Sequence, residues 1–116
     1  MSVAATITVT HREPGWHAWP DAPAVRHYLS ERHRHLFGYQ LTLPVSHGER
    51  EIEFHDVLDW LVAFVREVEA TDMGAEASCE TRARWVAQEA SRRWERPATA
   101  RCSEDDECWA TVEVTP

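Results

Sequence analysis

The apolar residues of this chain change their spacing twice, and each spacing dictates a different backbone. In Thr6-Ile7-Thr8-Val9-Thr10, and again over 35–45, large apolar side chains alternate with small or polar ones. Successive side chains of a strand point to opposite faces, so a period of two predicts half-buried strands. After residue 56 the spacing becomes Val57, Leu58, Leu61, Val62, Phe64, Val65 and Val68. That is one broad stripe on a helix over about 56–69, with Asp56 favouring its N-terminus. Thr71-Asp72-Met73-Gly74 breaks the pattern, Ser78 is suited to cap a second helix that runs to about Trp94, and Pro97 ends it. Ala83, Val86, Ala87, Ala90 and Trp94 are expected on its buried face, and Arg82, Arg84, Arg92 and Arg93 in solvent. Residues 99–102 and 109–114 return to strand patterning as a closing hairpin.

The resulting order is ββααββ, an α+β arrangement. The first strand runs from Thr6 toward Trp16 and His17, and the proline-rich Trp19-Pro20-Asp21-Ala22-Pro23 ends it. A connection over 24–32 carries a short helical turn. Ser46-His47-Gly48-Glu49 turns the chain after the second strand, and Ile52-Glu53-Phe54 is expected to resume an extended path. At 116 residues the chain is a single domain over 1–116 with one modest core.

Composition excludes some functions. Twenty carboxylates against twelve basic residues give a net charge of −8, and every basic residue is Arg. Phosphate neutralisation needs clustered cations, so no nucleic-acid partner is expected. No apolar run approaches the roughly 20 residues of a membrane span, and the start Met1-Ser2-Val3-Ala4-Ala5-Thr6 lacks a secretory pattern. A cytoplasmic protein is expected. Three cysteines, Cys79, Cys102 and Cys108, make no disulfide framework in that setting. Cys102 and Cys108 flank Ser103-Glu104-Asp105-Asp106-Glu107, a hairpin loop whose acidic run reads as a solvated tip, so they either face each other across a hairpin or are simply small buried residues.

The histidines carry the strongest chemical signal. His33 and His35 stand at i and i+2 of a strand and so share a face, and His17 can arrive from the neighbouring strand. Three imidazoles without a fourth protein ligand make a zinc site with an open position. The competing account is chance, since seven histidines in a short chain readily place two at this spacing. His27, His47 and His55 remain unassigned. His47 lies in a turn with Glu49 and Arg50, where it is either a base titrating near neutrality or an ordinary surface residue. Trp16 and Trp19 bracket His17 and either wall a ligand pocket by stacking or pack in a core. Trp60, Trp85, Trp94 and Trp109 fall where packing is the default.

Taken in order, these segments resemble the 6-pyruvoyl tetrahydropterin synthase and 6-carboxytetrahydropterin synthase family, which has the tunnelling fold. The family has a His ending strand one and a His-Gly-His-Asn-Tyr-like motif opening strand two, similar to His17 and His33-Arg34-His35-Leu36-Phe37. Its Val-Ile-Asp-Phe resembles Glu51-Ile52-Glu53-Phe54, and its Pro-Thr-x-Glu-Asn-x-Ala resembles Ala77-Ser78-Cys79-Glu80-Thr81-Arg82-Ala83. Its Val-x-Val-x-Glu-Thr resembles Thr99-Ala100-Arg101-Cys102-Ser103-Glu104-Asp105.

The resemblance implies a four-stranded antiparallel sheet with two helices on one face. It implies a trimer or hexamer closed by strand-edge pairing, and zinc on His17, His33 and His35. It further implies a dihydroneopterin triphosphate-type reduced pterin as ligand, held by Glu104 with Glu80, and a lyase reaction in queuosine or tetrahydropterin biosynthesis. The alternative is a divergent zinc- and pterin- or purine-binding protein without synthase activity. Two departures favour it. Leu29 and Ser30 stand where the family has a catalytic cysteine. The segment 66–78 holds no His where the family has an Asp-His relay, so Asp72 is its only relic and His47 a replacement base.

Overall fold

A computed structural model describes residues 3–71 and 76–116 of the chain. The alternating segments form β1, Ala5–His17, and β2, His33–Val45; the closing hairpin is β3, Ala98–Glu104, and β4, Cys108–Val114. The helical stripes form α1, Phe54–Ala70, and α2, Cys79–Trp94, and a 3₁₀ helix spans Ala24–Ser30. The strands make one open antiparallel sheet in the order β1-β2-β3-β4. No helix among the described residues is long and apolar enough to cross a membrane.

The strand register decides which residues meet. Val9 stands opposite Leu41, Leu41 opposite Ala100, and Ala100 opposite Val112. The first three are buried, in one core with Val57, Leu61 and Val65 of α1 and Ala83, Val86, Ala87 and Ala90 of α2. Small alanines on α2 and β3 let helix and sheet approach closely, while the large volume comes from Leu41, Leu43, Leu61 and Phe37, all fully buried. Each of these contributes about 1.5–3 kcal/mol relative to exposure. The opposite sheet face is polar, and Thr8 and Thr42 share a hydroxyl hydrogen bond of 2.8 Å across it.

Capping accounts for the helix boundaries. Ser78 accepts a hydrogen bond from the Thr81 N–H, as its residue type predicts. Helix α1 begins at Phe54, ahead of the apolar stripe, because the Glu53 carboxylate accepts from the His55 N–H and caps it. Ile52-Glu53-Phe54 therefore adds no strand. The β3–β4 register places Cys102 opposite Ala110 and Glu104 opposite Cys108, so the two cysteines do not face each other.

Arg82 departs from the solvated face expected of it: it is 1 % exposed. Its guanidinium ion-pairs with Glu69 at the end of α1, donates 3.1 Å to the Ala77 carbonyl and 3.4 Å to the Tyr39 hydroxyl, and lies 3.8 Å from the Phe37 ring centre. A buried cation persists only when partnered in this way. The Glu69 carboxylate also explains Gly15, because a Cβ there would collide with it.

Candidate metal centre

The sheet face that carries the core continues past Phe37 to its end, where apolar residues give way to histidines. His17 is the last residue of β1 and pairs with His33, the first of β2; Gly15 pairs with His35. Both strands thus deliver imidazoles to one face. Ring centres are 4.6 Å apart for His33 and His35, 5.4 Å for His17 and His33, and 6.2 Å for His17 and His35. One nitrogen from each ring lies within 4.8 Å of the other two.

Those nitrogens are unusual in being unsatisfied. His17 Nδ1, His33 Nε2 and His35 Nε2 are buried and have no hydrogen-bond partner among the described residues. Buried polar atoms without partners are rare in native proteins and costly, at about 1–3 kcal/mol each. Three converging on one point fit a divalent metal, which each lone pair can ligate. The outer nitrogens strengthen the case. His33 Nδ1 lies 2.7 Å from the Glu31 carbonyl and His35 Nδ1 lies 2.8 Å from Asp105 Oδ2, contacts in which Nδ1 must donate. A neutral ring that donates from Nδ1 keeps its Nε2 lone pair free.

Charge around the rings follows from the same packing. Burial lowers the His17 pKa, an effect the Glu104 carboxylate opposes and the Arg82 cation reinforces, so the neutral ring that binds metal persists to lower pH. Glu104 approaches His17 Nδ1 at 3.8 Å and His35 Nε2 at 3.7 Å, and so faces two of the three open nitrogens. The Leu36 N–H, and then the His35 ring, hold the Asp105 carboxyl below its ordinary value.

A cleft of about 570 Å³ opens beside this cluster, lined among others by His17, Trp19, Leu29, Cys79, Glu104 and Trp109. Glu76 and Glu80 also line it, and no Arg is among the described residues that line it. Glu80 and Glu104 therefore share one cavity, and so does Trp19. Trp16 does not: it belongs to the opposite sheet face, 48 % exposed, with Arg32 stacked 5.2 Å from its ring centre. His47 lies beyond the other end of β2, where Val45 pairs with Ala5, and its partner there is Glu51 at 3.6 Å. The chain does not bring it to the triad. His55 sits exposed on α1 beside Glu53, and Asp72 falls outside the described residues.

Two groups in or beside the cleft escaped the sequence reading. Cys79, the first residue of α2, neighbours the buried Cys102. The Cys102 thiol beside it holds the Cys79 pKa below its ordinary value, and Cys79 raises that of Cys102, which burial raises further. Asp105 is the other. It looked like the tip of a solvated acidic turn, and only the β2–β3 register carries it to His35. No protein-family model and no curated protein matches the chain.

Proposed function

We propose that this chain is a zinc-dependent protein of the 6-pyruvoyl/6-carboxytetrahydropterin synthase type, with the tunnelling fold, that takes a reduced pterin into the cleft beside His17, His33 and His35. The observation that carries it is the set of three buried, partnerless imidazole nitrogens facing one another. Bound there, zinc would act as a Lewis acid on substrate hydroxyls. Glu104 accepts paired N–H donors of an amino-pyrimidine edge, a charge-assisted contact. Trp19 offers a ring face for stacking, and Glu80 lines the same cleft as a second acceptor. Leu29 is apolar, so a proton must leave by another group. Cys79, whose thiol is held below its ordinary pKa, lines the cleft and is a candidate.

One observation favours the alternative of a pterin or purine binder without synthase activity. Among the described residues the cleft is lined by Glu76, Glu80 and Glu104 and by no Arg, which opposes a triphosphate ester by like-charge repulsion. An unphosphorylated heterocycle meets no such barrier. The open sheet leaves one edge each of β1 and β4 unpaired, which suits closure into a trimer or hexamer of identical subunits. A cytoplasmic setting without nucleic-acid partners completes the reading.

The purified chain should hold about one zinc per subunit and elute at a mass that is a multiple of three chains. Calorimetry with dihydroneopterin and with its triphosphate then separates the readings. Binding of either, weakened by roughly 1.5–3 kcal/mol in Glu104→Ala, supports the pterin site. Turnover of the triphosphate supports the synthase, and binding without turnover the alternative. A wild type that binds neither compound when zinc-loaded would sink both.

A further inference from the structure

The three imidazoles are not held equally. His33 donates to a main-chain carbonyl, that of Glu31. All three turn inward a nitrogen with no hydrogen-bond partner among the described residues, so the difference lies at the outer one. His35 alone is held by a side chain, donating 2.8 Å to Asp105 Oδ2. Asp105 is itself pinned: its other oxygen accepts from the Leu36 N–H at 2.9 Å, and its own N–H donates to the Leu36 carbonyl at 2.9 Å. Its backbone is left-handed, φ 56°, as is that of Asp106, φ 61°. Asp106 in turn accepts from Arg12 on β1 at 2.8 Å. The turn between β3 and β4 is thereby fastened to both histidine-bearing strands.

Resting on the reading of the triad as a metal site, we propose that Asp105 is its positioning residue: the carboxylate fixes His35 in the tautomer protonated on Nδ1 and turns Nε2 toward the metal. The chemistry of the side chain makes this specific. A carboxylate accepts on both oxygens, so it serves the Leu36 N–H and the His35 Nδ1–H together. An asparagine accepts on one oxygen only. With that oxygen on the Leu36 N–H, its NH₂ group meets His35 Nδ1 as a donor and drives the ring to the opposite tautomer, whose proton sits on the metal-facing nitrogen. Partners of this outer kind typically account for a 10–100-fold difference in metal affinity.

Three variants of the full chain test the assignment by chelator competition for zinc. Asp105→Ala should weaken zinc binding about 10–100-fold, and Asp105→Asn should weaken it at least as much despite being the closer mimic in shape. Asp106→Asn, in the same turn but bonded to Arg12 instead of a histidine, should stay within about twofold. Nitrogen-15 spectra of the zinc-free wild type should show His35 protonated on Nδ1, and those of Asp105→Asn should show the proton moved to Nε2. A loss caused only by turn disorder would appear equally in Asp106→Asn and would leave the tautomer unchanged, which overturns the proposal. Unchanged zinc affinity in both Asp105 variants also overturns it and leaves the metal reading intact. A wild type that binds no zinc, yet carries the Nδ1 proton, would instead defeat the metal reading and preserve the role of Asp105 toward His35.

Discussion

The two ends of the sheet are built from the same residue types and solve the same problem in opposite ways. At the end where β2 leaves the sheet, Glu51 accepts from the Ser46 N–H and hydroxyl and ion-pairs with Arg96, which also donates 3.0 Å to the Pro44 carbonyl. His47 adds a flanking contact to the same carboxylate. Ser46, His47 and Arg96 thus converge on one carboxylate, and the cluster closes the loop between β2 and α1. At the end where β1 finishes, three imidazole nitrogens turn inward and find no hydrogen-bond partner among the described residues. A polar cluster that satisfies itself has a structural purpose. One that leaves its lone pairs aimed at a common point is waiting for something outside the chain.

The sharpest way to break the contrast is to remove a histidine at each end. His33→Ala should abolish zinc retention through purification, whereas His47→Ala should retain the wild-type metal content. Equal losses would erase the distinction between the two ends. Next in size is the ion pair beneath the triad. Arg82→Met strands the Glu69 carboxylate beside Gly15, and removing one partner of a buried pair costs about 3–5 kcal/mol. Chemical denaturation of zinc-free protein should report that loss; a change below about 1 kcal/mol would mean that Glu69 finds solvent when Arg82 is gone.

The third test uses pH. Hydrogen bonds from Ser46, then that from Arg96, pull the Glu51 pKa down to about 2. A carboxyl depressed in the folded state adds stability above its ordinary, unfolded pKa and loses it as pH falls toward the folded value. Glu51→Gln should therefore melt below the wild type at neutral pH, with the gap closing between about pH 4.5 and pH 2. A gap that stays constant across that window would show that the ion pair with Arg96 contributes nothing. The smallest effect is expected of His47→Ala on stability: an exposed pair is worth about 0–1 kcal/mol, and a larger change in melting would give His47 a place in the loop closure that its contacts do not.

Local pattern made much of this architecture legible. Alternation located all four strands, the stripe from Val57 to Val68 located α1, and Ser78 marked the start of α2. The i,i+2 histidines could be placed on one face because strand geometry is strict, and the ending of β1 at His17 supplied the third. What sequence could not supply was the partnering of side chains far apart in the chain. Arg82 looked solvated because helical periodicity places it beside charged neighbours, and its burial depends on Glu69 arriving from another helix. Asp105 looked like a loop tip because nothing local links it to His35, 70 positions away. His47 drew attention as a titratable group in a turn, but β2 carries His33 and His35 at its start and His47 lies past its far end, Val45. Cys79 drew no role because the motif comparison places the family's cysteine at Leu29 and Ser30, ahead of β2.

The pairing of His17 with His33 has a consequence for how the chain comes to its final form. Because β1 and β2 are in register along their whole length, from Ala5 with Val45 to His17 with His33, the triad samples the alignment of the entire ribbon. Were β1 to slip by one residue, His17 would swing to the threonine-rich face and its Val9 side chain would leave the core. Both errors would occur together, but only the first would be visible to an ion in solution. A metal captured by all three imidazoles would thus act as a proofreader of strand alignment, rewarding the one pairing in which the hydrophobic core is also correct.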